Sequence, residues 1–179
     1  MEYVDICDKE GNLLGSRTSI KEAHEQGLWH RVVHMWIVNS KRELLLQLRS
    51  PKKNEFPNMW DISGAGHVSA GEDYVTAALR EIKEELGLEF SEKDLVEIGK
   101  ARQEIPKDDY IIRDIAAVYI IFGGGEKIMR LQDTEVTAIK WMSYQELRTH
   151  INCNDPKFVP HPEEYNLIFS YVDKNFSIH

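Results

Sequence analysis

Apolar and polar positions change period several times along the chain, and each change predicts an element. YVDIC and LLGSR flank the turn-forming Asp8-Lys9-Glu10-Gly11-Asn12, which predicts an N-terminal β-hairpin over residues 3–17. Residues 20–26 read as a short helix stopped by Gly27. Two strand-like runs follow, 32–38 and 43–49, parted by Asn39-Ser40-Lys41-Arg42. RSPKKNEFPN (49–58) is a polar loop broken by proline, and 60–63 a short strand entering Gly64-Ala65-Gly66. From about residue 73 to 86 the period becomes helical: Val75, Ala78, Leu79, Ile82 and Leu86 fall within about 100° on a helical wheel, and Gly87 ends the run. Strand patterns return at 96–105, 111–122 and 138–142, punctuated by Gly123-Gly124-Gly125. Ser143 with Glu146 predicts a capping box for a helix over SYQELRTH. Pro162 opens a last amphipathic helix carrying Tyr165, Ile168, Phe169 and Val172. Such an order predicts one α/β (α+β) domain over 1–179, a mixed sheet between helices.

Composition narrows the class. Hydrophobic content of 42% and charged content of 29% fit a globular chain. No apolar run approaches the ~18–20 residues of a membrane span, and MEYVDICDKEG lacks the basic start and apolar stretch of a secretory signal, so a cytoplasmic protein is expected. Cys7 and Cys153 suggest two reduced, partly buried thiols and no disulfide framework. A net charge of −8 argues against binding a nucleic acid polymer, yet allows a small anion, since metal and a few cations can reverse the sign within a site.

The helix at 73–86 carries the candidate chemistry. Relative to Ile82, Glu81 lies at about −100°, Glu85 at about −60° and Glu84 at about −160°, a sector beside the apolar stripe. A solvated acidic face balanced by Arg80 and Lys83 is the usual fate of such a run. Glu81 and Glu85, however, stand at i and i+4, which costs helix stability unless a cation offsets them. Carboxylate oxygens, waters and substrate phosphates are the surroundings that Mg2+ or Mn2+ prefers.

Gly66, Glu72, Arg80, Glu81, Ile82, Glu84, Glu85, Gly87 and Leu88 satisfy every position of Gx5Ex7REUxEExGU, U being aliphatic. The stretch 66–88 thus resembles the Nudix box of hydrolases that cleave a nucleoside diphosphate linked to another moiety. The resemblance implies a Nudix α/β/α sandwich with a mixed β-sheet. It implies metal held by Glu81, Glu84, Glu85 and the Gly66 carbonyl, and Glu72 tethered to Arg80. Metal-activated water would attack phosphorus, with Glu84, Glu85 or the loop residue Glu135 taking its proton.

Beyond the box, VDICDKEGNLLG, GLWHRVVHMWIVNS, LLLQLRS and Pro57-Asn58-Met59-Trp60-Asp61 resemble the isopentenyl-diphosphate isomerase-like branch of this superfamily. Isomerases carry a catalytic cysteine just before the Gly-His pair, where this chain has Ala65. His24, His30 and His67 stand where the isomerases place metal-binding histidines, but Ile111-Ile112-Arg113-Asp114 supplies one acid at most in place of their paired glutamates. Arg49 and Lys53 align with diphosphate-binding positions, and His67, next to Gly66, is expected to face substrate. Trp36, Trp60 and Phe56 offer rings for a base, with core packing expected to claim at least two. The expected activity is Mg2+-dependent hydrolysis of a small diphosphate, by a possible homodimer. An isomerase, disfavoured by Ala65, and a non-catalytic nucleotide-sensing domain are the alternatives.

Overall fold

The structure is a computed structural model that describes residues 2–123 and 129–176; Gly124 and Gly125 of the glycine run lie outside the described residues. In chain order the elements are β1 (Tyr3–Cys7), β2 (Leu13–Ser19), α1 (Ile20–Glu25), β3 (Trp29–Val38), β4 (Glu43–Arg49), β5 (Trp60–Asp61), β6 (Gly64–His67) and α2 (Tyr74–Leu86). A 3-10 turn (Glu92–Asp94) precedes β7 (Leu95–Pro106), β8 (Ile111–Phe122), β9 (Val136–Ser143), α3 (Tyr144–Asn152) and α4 (Pro162–Asn175).

β3 organises the sheet. It runs parallel to β8 along its whole length, from Trp29↔Arg113 to Val38↔Phe122. Its other edge meets β1, β6 and β4 in turn, all antiparallel. β7 closes one side against β8, while β4 carries β9 and β5 on the other. A strand with a parallel partner and both faces covered reads as a near-continuous apolar run, as WIV and the AAVYIIF of β8 do.

Alternation along β3 and β8 builds two cores. Val32, Trp36 and Val38 pack with Ala116, Val118 and Ile120 under Tyr165, Ile168 and Val172 of α4. Val33, Met35 and Ile37 pack with Ala117, Tyr119 and Ile121 under Ala77, Ala78, Ile82 and Leu86 of α2. Helices therefore cover opposite faces of one mixed sheet, an α/β/α sandwich.

Local signals set the ends. Asp73 caps α2 by accepting from the Thr76 N–H, and Gly87 ends it at φ 67, a left-handed conformation that favours glycine. Ser143 accepts from the Glu146 N–H, the first half of the anticipated capping box. Trp36 is fully buried in the core, which removes it as a stacking ring for a ligand; Trp60 is half-buried with Lys140 Nζ 4.0 Å from its ring centre. Cys7 is buried and Cys153 exposed, in place of two partly buried thiols. Among the described residues no helix is long and apolar enough to cross a membrane.

Candidate active site

β6 positions the site. Its four residues pair antiparallel with β3, setting Ala65 opposite His34 and Gly66 opposite Val33. The loop from β6 to α2 is held by one ionic clamp: Arg80 donates to Glu72 at 3.1 and 2.9 Å, to the His67 carbonyl at 3.0 Å and to Glu81 at 2.6 Å. Glu72 accepts in turn from the Ser69 N–H at 3.1 Å. Burial works against the Glu72 charge, yet Arg80 and Ser69 hold its pKa below the usual carboxylate range.

The three helix carboxylates occupy three environments. Glu84 is exposed and 3.5 Å from Arg80. Glu81 is largely buried, and desolvation raises its pKa despite Arg80. Glu85 is buried; desolvation first, then the Glu81 charge, pushes its pKa up to about 8. Its Oε2 accepts from the Ala65 N–H at 3.2 Å, with Gln47 Nε2 at 3.5 Å.

Gly66 explains the glycine that opens the motif. A Cβ there would lie 2.0 Å from Glu81 Cδ, so only a residue without a side chain lets that carboxylate approach the strand. Hard carboxylate oxygens gathered beside β6, with Glu85 buried and in no ion pair among the described residues, fit a divalent cation.

These groups open on a cavity of about 540 Å³. Glu81, Glu84, Glu85 and Gly66 line it together with Arg49, Lys53, His67 and Glu135, so every anticipated catalytic, metal and substrate residue meets in one place. Arg49 and Lys53 are already engaged. Arg49 donates to Asp61 at 2.9 Å and to the Glu55 carbonyl at 3.0 Å, and Lys53 pairs with Glu135. Phe56 lines the same space, alone of the three rings considered for stacking.

Histidine groups flank the cavity. The ligand-capable nitrogens of His24, His30 and His67 lie within 4.8 Å of one another, an arrangement able to hold a metal ion. Asp114 Oδ1 is 2.9 Å from His30 Nε2, close enough for an ion pair but off the line of a hydrogen bond. His67 faces Glu2 at 3.4 Å. A second group, His34, Asp61, His161 and Glu164, escaped the sequence reading. Its signals were present: His34 is a polar residue inside a doubly buried strand, and Glu164 lies on the buried stripe of α4.

Residues 28–162 match the family model for the NUDIX domain. Nudix hydrolase 3 of Arabidopsis thaliana is 36% identical over 179 residues, 96% of this chain; the chain spans 23% of that protein's length. An isopentenyl-diphosphate Delta-isomerase of Serratia proteamaculans is 29% identical over 88% of this chain and 85% of its own. A solved structure from Deinococcus radiodurans superposes with a TM-score of 0.69 at 21% identity, covering 94% of this chain and 98% of the other, a likeness of fold. With the box complete and its clamp assembled, the chain belongs to the Nudix hydrolase family.

Proposed function

We propose that this protein is a Mg2+-dependent hydrolase of a pyrophosphate bond in a nucleoside diphosphate derivative or a similar small diphosphate. The observation that carries the reading is Glu85, a buried carboxylate set beside Glu81 with a pKa pushed up to about 8. Burying two like charges side by side is unfavourable unless a cation joins them. Glu81, Glu84, Glu85 and the Gly66 carbonyl would hold Mg2+, with Mn2+ as a substitute. An ion held by these groups would supply charge neutralisation for phosphate oxygens and a lowered pKa for water.

The chain's own groups supply the rest. Glu84, exposed and only weakly held by Arg80, is free to take the proton of the attacking water. Glu135, paired to Lys53, is the alternative base once a phosphate draws Lys53 away. Arg49, Lys53 and His67 surround the space the diphosphate would fill. Arg80 and Glu72 hold the loop in register. Protonation of a carbon–carbon double bond, the chemistry that the isomerase resemblance implies, would lack its cysteine because Ala65 stands before the Gly-His pair.

The test is a Mg2+-dependent screen over nucleoside diphosphate derivatives and other diphosphates, run beside Glu84→Gln/Glu85→Gln. The variant should lose at least ~10²-fold in kcat. Undiminished turnover by the variant on every substrate would refute the assignment, and a wild type that cleaves nothing would leave a binding domain.

A further inference from the structure

His34, Asp61, His161 and Glu164 form a buried ionisable network that the proposed hydrolysis does not use. His34 Nδ1 lies 2.6 Å from Glu164 Oε2, and Trp36 donates to Glu164 Oε1 at 2.7 Å. His161 Nε2 lies 2.7 Å from Asp61 Oδ1, which also accepts from the Ile62 N–H at 2.8 Å, while Arg49 donates to Oδ2 at 2.9 Å. All four residues are buried.

Stability does not explain the network. Taking two carboxylates and two imidazoles out of water is repaid only by good pairing, and apolar residues of similar volume are often as stable or more so. The location suggests another use. His34, Asp61 and His161 line the same cavity as the box, and His34 is the register partner of Ala65, the residue before the box. The cavity wall beside Ala65 is thus polar.

Each ring is fixed by one nitrogen and keeps another. With Nδ1 committed to Glu164, His34 retains Nε2; with Nε2 committed to Asp61, His161 retains Nδ1, which lies 3.9 Å from Glu164, beyond a hydrogen bond. Gln103, a third lining residue, donates its Nε2 to the Pro160 carbonyl at 3.0 Å and retains Oε1 as an acceptor. Val32, Ile105 and Val159 line the same space, so an apolar ring or sugar face has somewhere to lie while its edge meets these atoms.

We propose that His34 and His161, held by Glu164 and Asp61, determine specificity by selecting diphosphates whose second group is hydroxylated or heteroaromatic, a sugar or nucleoside, over those carrying a prenyl chain. The inference rests on the hydrolase reading and extends it. A prenyl chain would cover these polar atoms and pair none of them, and sites built to hydrogen-bond a ligand reject analogues lacking the group far more strongly than apolar pockets reject an added methylene. Glu164 keeps the charged form of His34 favoured even though burial opposes it, which supports a donor at that ring.

Three measurements test this. First, kcat/KM of the wild type for ADP-ribose and a UDP-sugar should exceed that for isopentenyl diphosphate by ~10²-fold or more. Second, His34→Phe/Glu164→Gln and His161→Phe/Asp61→Asn, which keep acceptors for Trp36 and Ile62, should narrow that ratio at least ~10-fold, chiefly through KM. Folded variants with an unchanged ratio would overturn the proposal, because a purely structural network alters both substrates alike. Third, calorimetry of wild type with methylene-bridged, non-hydrolysable ribosyl and prenyl analogues reads the same preference without turnover or mutation. Equal affinities would overturn the inference even if both variants failed to fold. A wild type that discriminates between the analogues yet cleaves no diphosphate would sink the hydrolase reading and leave a binding preference alone.

Discussion

Glu85→Gln should make the metal-free protein more stable at pH 8 and remove much of its pH dependence. Burial and the Glu81 charge push the Glu85 pKa from 4.5 to about 8. The unfolded chain gives up this proton near 4.5, whereas the folded chain keeps it until about 8. Between those values the folded state binds more protons, so unfolding free energy falls as pH rises across that window and levels off above it. At roughly 1.4 kcal/mol per tenfold change in proton affinity the interval amounts to about 5 kcal/mol, a ceiling, since interiors respond as a more polarisable medium than dry protein.

The assay is thermal melting of wild type and Glu85→Gln in chelator from pH 5 to 9. The difference between the two curves isolates Glu85 from the histidines that titrate in the same range. For a chain of this size ~1 kcal/mol corresponds to about 2–4 °C, so the variant should gain on the wild type by several degrees between pH 5 and 8. Adding Mg2+ at pH 8 should raise the wild-type melting temperature and raise that of the variant much less. A wild-type curve parallel to that of the variant from pH 5 to 8 would refute the reasoning, because Glu85 would then ionise as freely folded as unfolded.

Gly66→Ala should weaken Mn2+ binding about 10–100-fold by isothermal titration, since the new Cβ would lie 2.0 Å from Glu81 Cδ and displace a ligand. Arg80→Met should cost about 1–3 kcal/mol in urea unfolding by leaving the Glu72 and Glu81 carboxylates short of a partner, with Arg80→Lys recovering only part because its single ammonium cannot span Glu72, Glu81 and the His67 carbonyl. Ala65→Cys should not produce an isomerase: Asp114, the acid on the same sheet face, is held against His30 at 2.9 Å, so deuterium from solvent should not enter isopentenyl diphosphate.

Local physics made much of this legible. The helical wheel sets Glu85 nearest the apolar stripe and Glu84 farthest, and the structure buries the first and exposes the second. The C-terminal two thirds of β8 follow from the apolar run that starts at Ile115, and the end of α2 from Gly87. What escaped the sequence depends on partners distant along the chain. Arg49 and Lys53 read as diphosphate-binding cations, but Asp61 and Glu135 already pair with them, the second from 82 positions away. His34 meets Glu164 across 130 positions, a pairing that no periodicity encodes. β3 also extends to Trp29, three residues earlier than its hydrophobic pattern, because pairing with Arg113 and Asp114 of β8 holds Trp29 and His30 in the sheet.

One four-residue strand separates two tasks through its period of two. Gly64 and Gly66 of β6 turn toward α2, where an added Cβ would meet Ile82, Glu85 and Glu81. Ala65 packs on the opposite face of the sheet, against the core beneath α4, and lines the cavity beside His34. Because successive side chains point to opposite faces, residues that seat the carboxylates and residues that shape the substrate floor alternate without competing for space. A change at 65 therefore alters the surface open to the cavity and leaves the approach of Glu81 to Gly66 undisturbed.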